Sequence, residues 1–67
     1  MERLIKYREE KGLSRPQLAQ MIGASRSTVF LVEMGKANAS PELANRWAGV
    51  LDIPVSERYG IFFANRV

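Results

Sequence analysis

Arg26 and Ser27 are the side chains best placed to do chemistry in this chain. They open the segment 26–34, directly after Ser25 and three residues past Gly23. An arginine fork bonds two acceptors at once, such as O6 and N7 of a guanine. A serine hydroxyl bonds a base edge or a phosphate. This is the chemistry of recognition. Reaction chemistry has few candidates. The sequence holds no histidine and no cysteine, which removes the imidazole base, the thiolate and the disulfide. No carboxylate cluster, nucleophile–base pair or metal constellation can be assembled. The expectation is therefore no enzyme, no metal and no cofactor. The net charge of +3 and a pI near 9.8 lean toward a polyanionic partner.

Arg26 and Ser27 need a rigid support, and their neighbours supply one. Residues 15–34 read as two short helices hinged on Gly23, one over about 15–22 and one over about 26–34. Ala19, four residues before the glycine, is small where two steeply crossed helices come closest. Gly23 tolerates a left-handed backbone without a Cβ penalty. Val29 and Val32, three apart, form an apolar edge that seats against the preceding helix. This is the spacing of a helix-turn-helix. The opposite edge is left for a partner.

The flanking elements follow from caps and periodicity. Ser14 with Gln17 three residues later is a capping-box pattern, and Pro16 lies in the first turn. Ser25 caps the next helix. Upstream, residues 2–11 read as a helix with Leu4, Ile5 and Arg8 on one face, ended by Gly12; Leu13 follows as a core anchor. Residues 36–39 form a polar loop. Ser40, Pro41 and Glu42 start a helix that runs to Leu51. Its core side is Leu43, Ala44, Trp47, Ala48, Val50 and Leu51, with Gly49 facing solvent. Ser56 is read as the cap of a last short helix around 57–59, broken by Gly60. Residues 61–67 are apolar and rich in strand formers. The whole is one domain over 1–60 with a tail at 61–67. No run of about 18 apolar residues exists for a membrane span. Charges interrupt residues 1–6, so no secretion signal is read there. The expected location is the cytoplasm.

With these elements in order, the chain resembles the Cro/CI-type helix-turn-helix domains of the Xre family, the lambda-repressor-like fold. The resemblance is carried by residues 7–14 (YREEKGLS), 17–20 (QLAQ), 22–23 (IG), 25–29 (SRSTV), Glu33, 35–36 (GK), and 40–43 (SPEL) through Leu51. It covers about residues 4–59. It implies an all-α bundle of four to five helices whose third helix enters the major groove of double-stranded DNA, usually as a dimer. It also implies an ion pair between Arg8 and Glu33, each on a face expected to be buried, where a charge needs a partner. Arg15, at a helix N-terminus, matches a position that commonly contacts phosphate in the family. Gln17, Thr28, Lys36 and Asn38 are further phosphate candidates, which would fix register without reading sequence. Arg26 and Ser27 are the base-reading candidates, with Phe30 and Leu31 beside them.

Phe30 and Leu31 depart from the family pattern, which is usually polar or charged there. Three readings stand open: packing on thymine methyls, one side chain turned into the core, or a face that binds another protein. Met34 stands where the family often carries a phosphate-bonding Asn. Tyr59, Ile61, Phe62 and Phe63 form a candidate homodimer interface; the rival is a tail folded back near Trp47 and Tyr59. The expected function is a bacterial or phage-type, nucleoid-associated transcriptional regulator. It would be a repressor, occupying a palindromic operator with half-sites ~34 Å apart. The alternative is a protein-interaction module, such as an antitoxin or adaptor, that uses Phe30, Leu31 and the tail.

Overall fold

A computed structural model describes residues 1–64. Five helices follow in order: α1 Glu2–Glu10, α2 Arg15–Ile22, α3 Arg26–Glu33, α4 Pro41–Val50 and α5 Val55–Phe62. The described residues contain no strand. α2 packs on both α3 and α4, α1 packs on α3, and α4 packs on α5.

Local chemistry sets the helix starts. Gln17 N–H donates to Ser14 Oγ, and Ser14 N–H donates to the Gln17 side-chain oxygen. This reciprocal pair satisfies two of the donors that a helix start leaves unmade. Ser25 Oγ accepts from Thr28 N–H, and Ser40 Oγ accepts from Leu43 N–H. The end of α2 makes the turn. Gly23 has φ 71°, and Ala24 N–H returns to Ala19 C=O at 2.9 Å. Three residues, 23–25, thus reverse the chain into α3. The same closure ends α4, but with Asp52 in the left-handed position at φ 55°. There Ile53 N–H bonds Ala48 C=O.

The core is built around Trp47. Leu4, Leu18, Ile22, Val29, Val32, Leu51 and Ile53 are buried with it. Ala19 lies buried where α2 meets α3, and Gly49 is exposed. Val50, expected in the core, is only partly buried. Ala39, placed by its sequence neighbours in a polar loop, is a core residue.

The C-terminal expectations need correction. Gly60 does not break the last helix; α5 runs through it to Phe62. Residues 61–62 are helical, not extended. Ser56 is not the cap, because the helix begins at Val55 behind Pro54 and no side chain caps it. Packing explains the extension. A helical glycine costs about 1 kcal/mol relative to alanine, whereas burying an Ile or Phe side chain is worth about 1.5–3 kcal/mol. Ile61 and Phe62 are both buried, and the Phe62 ring meets Trp47 edge-on at 5.8 Å. These two members of the expected dimer interface are therefore core within one chain. Tyr59 stays 70% exposed and Phe63 is partly buried. The rest of the expected tail, 65–67, lies outside the described residues.

Candidate nucleic-acid interface

Each candidate recognition residue sits where a cap holds it. Arg26 and Ser27 occupy the first turn of α3, behind the Ser25 cap, and both are exposed. Residues from the first turn of α2 and the first two turns of α3 line one shallow concavity of about 500 Å³. Its lining is Arg15, Pro16, Arg26, Ser27, Phe30 and Leu31. The helix-turn-helix thus brings together two arginines, eleven positions apart in sequence, around an apolar floor.

Phe30 and Leu31 are 45% and 38% exposed. Neither turns into the core, which removes that reading of the pair. Helical phase gives the reason: Val29, Val32 and Glu33 take the inward edge of α3. Met34, the C-cap of α3, is exposed on the same stretch of chain.

Beneath the concavity lies a buried carboxylate. Glu33 is inaccessible to solvent and holds two arginines. Arg8 Nε donates to its Oε2 at 2.7 Å, and Arg15 Nε donates to its Oε1 at 2.7 Å. Arg8 is itself buried, and its Nη1 donates to Leu13 C=O. One negative charge is thus matched by two positive ones, so a sealed carboxylate keeps partners on both oxygens. Arg15 does a second job. Its guanidinium carbon lies 5.3 Å from the centroid of the Phe30 ring, a cation–π contact.

The other phosphate candidates are placed differently. Gln17 is exposed; its carbonyl oxygen is committed to Ser14 N–H, so its NH2 is the group left for an anion. Thr28 is partly buried, with Oγ1 2.9 Å from Ser25 Oγ, and its hydroxyl belongs to the cap. Lys36 and Asn38 are exposed after the end of α3 and do not line the concavity.

Two arginines that the sequence did not single out tie helices together, and one of them, Arg46, acts on the helix-turn-helix. Arg46 Nε on α4 donates to Ile22 C=O at 3.0 Å and fixes the last turn of α2. Arg58 Nε on α5 donates to Ile53 C=O in the connector before α5, and its Nη1 to Asn45 Oδ1. A cation at helix-terminal carbonyls, as Arg46 is at Ile22, is a known preference. A partner 24 residues away leaves no local trace, however. Among the described residues, no group of three or more potential metal ligands comes together. No helix there is long and apolar enough to cross a membrane.

A family model described as helix-turn-helix matches residues 4–58. A Pyrococcus furiosus protein named "Putative HTH-type transcriptional regulatory protein" is 38% identical over 63 residues. That match covers 94% of this chain but 20% of the relative, so the chain spans about a fifth of its length. No solved structure matches the chain significantly. The family match and the two capped helices hinged on Gly23 together establish that this chain belongs to the helix-turn-helix family, of the Xre or Cro/CI type.

Proposed function

We propose that this domain binds double-stranded DNA sequence-specifically and regulates transcription by occupying promoter DNA, as a repressor. α3 enters the major groove, with Arg26 and Ser27 on base edges and Phe30 and Leu31 as the apolar floor beside them. Arg15, Gln17, Lys36 and Asn38 hold the phosphates on either side, with Thr28 serving the cap of α3. The observation that carries this reading is the concavity that joins Arg15 to Arg26 at two helix N-termini, where both dipoles favour an anion. The printed name of the Pyrococcus furiosus relative supports it. The domain acts as a homodimer on a palindromic operator. Tyr59 and Phe63 are the accessible part of its pairing surface, since Ile61 and Phe62 are spent on the core. Its place of action is the cytoplasm, at the nucleoid.

The exposed Phe30, Leu31 and Met34 favour a second reading, a module that docks on another protein. Salt separates the two. Binding through phosphates weakens steeply as salt rises, with a slope of about −0.9 per phosphate contacted. An apolar protein contact does not. The test is titration of duplex DNA at several salt concentrations with the wild type, Arg26→Ala and Lys36→Ala. Arg26→Ala is expected to relax the preference at one base pair by about 1–3 kcal/mol. Lys36→Ala is expected to weaken all sequences alike and lower the salt slope by about 1. A flat salt response would favour the protein-docking reading.

A further inference from the structure

Phe30 stands on the face of α3 expected to meet bases, yet its ring is already engaged. Arg15 lies over it at 5.3 Å. The same guanidinium is tied at Nε to Glu33, whose other oxygen is held by Arg8. Three contacts therefore constrain one arginine: the buried carboxylate holds one edge, the ring supports one face, and the α2 start fixes its backbone. The Nε edge is committed, so the terminal nitrogens are the donors left for an anion at the concavity. An unsupported arginine loses rotamer freedom when it grips a phosphate. A guanidinium already held in place loses less, and its planar fork matches two phosphate oxygens.

We propose that Phe30 is a positioning residue, whose ring holds the Arg15 guanidinium in place for a phosphate of the DNA backbone. This rests on the DNA-binding reading above. Phe30 then acts on affinity through Arg15 and does not read thymine methyls. The placement of Phe30 four residues after Arg26 suits this, because i and i+4 share one helix edge. The ring lines the same concavity as Arg15 and Arg26.

The experiment uses the full chain and two duplexes. One carries the motif enriched from a random pool; the other is identical but has dU for every dT, which removes the C5 methyls. Phe30→Leu is expected to weaken binding about two- to fivefold, the usual size of an exposed cation–π contact. The loss should be equal on both duplexes. Phe30→Tyr, which keeps the ring, should bind as the wild type does and shows that the site tolerates substitution. In an Arg15→Gln background, Phe30→Leu should cause no further loss. A Phe30→Leu effect that vanishes on the dU duplex would assign the ring to methyl readout and overturn the proposal. So would an undiminished effect in the Arg15→Gln background. Wild type that binds neither duplex at low salt would sink the DNA-binding reading itself. Wild type that binds, without coupling between Phe30 and Arg15, would sink only this inference.

Discussion

Arg15 Nε and Glu33 Oε1 lie 2.7 Å apart, so a guanidinium at the rim of the outer face is bonded to a carboxylate sealed in the core. The Arg15 side chain is 37% exposed and that of Glu33 is wholly buried. One side chain therefore joins the core to the proposed recognition surface. The carboxylate that closes α3 onto α1 also orients an arginine toward the concavity.

That link predicts non-additive stability. Glu33→Gln removes the charge that two arginines depend on, and is expected to cost about 3–5 kcal/mol. A domain of this length has a total stability of roughly 3–10 kcal/mol, so the variant should lose a large share of it. Arg8→Ala alone should cost less, because Arg15 still neutralises Glu33. The Arg8→Ala, Arg15→Ala double variant should cost more than the sum of the two single changes. Urea denaturation of the four proteins gives the cycle directly. Additive single effects would show that the two pairs are independent.

Phe62 and Tyr59 are three residues apart on α5 and should behave in opposite ways. Phe62→Ala opens the core beneath Trp47 and is expected to cost about 3–5 kcal/mol. Tyr59→Ala changes an exposed residue and should stay within about 0.5 kcal/mol in thermal melts of the monomer. If Tyr59 belongs to the pairing surface, sedimentation will show a weaker dimer for Tyr59→Ala. Unchanged self-association would remove Tyr59 from that surface.

Glycines offer a test of backbone against space. No atom stands within 4 Å of a Cβ built at Gly23 or at Gly49. Gly23 has positive φ and Gly49 lies within α4. Gly49→Ala should therefore stabilise by about 1 kcal/mol. Gly23→Ala should destabilise by about 1–2 kcal/mol through left-handed strain. Opposite shifts in melting temperature are the expected result. A shared sign would contradict the left-handed turn at Gly23 or the helical backbone at Gly49.

Tyr7 supplies a pH prediction. Its hydroxyl donates to Glu57 at 2.9 Å. That bond, with partial burial and the charge of Glu57, raises the phenol above its ordinary value of 10.0, while Arg3 opposes in smaller measure. The folded value thus exceeds the unfolded one. The contribution to stability is complete below about pH 10 and is lost as pH rises through the folded value. Phenolate absorbance in a Tyr59→Phe background isolates Tyr7, since the chain has two tyrosines. Glu57→Gln should move the midpoint down. An unmoved midpoint would mean that the bond does not govern the titration.

The elements of this fold that rest on local chemistry are legible in the sequence. Ser14 with Gln17, Ser25, and Ser40 with Pro41 mark three helix starts, because capping involves residues three apart. Gly23 marks the turn for the same reason. The burial of Arg8 and Glu33 is legible because each falls on an apolar face, and their pairing is what the resemblance to the Cro/CI-type family implies. What escapes is set by distant partners. Gly60 suggests a break, and only the Trp47–Phe62 contact explains why α5 continues. Ala39 lies between polar neighbours, and the fold alone buries it. Arg15 reads as a surface cation, but its ties to Glu33 and Phe30 exist only once α2 and α3 have docked. The same holds for Arg46 at the end of α2.

The central claim is that α3 reads DNA sequence from its first turn. Selection of bound duplexes from a random pool, at low salt and with the full chain, tests it most directly. The expected result is an enriched motif in two inverted half-sites about one helical turn apart, ~34 Å. Repeating the selection with Arg26→Ala should erase the preference at one position in each half-site and leave the spacing intact. A pool that remains random after selection would contradict the claim.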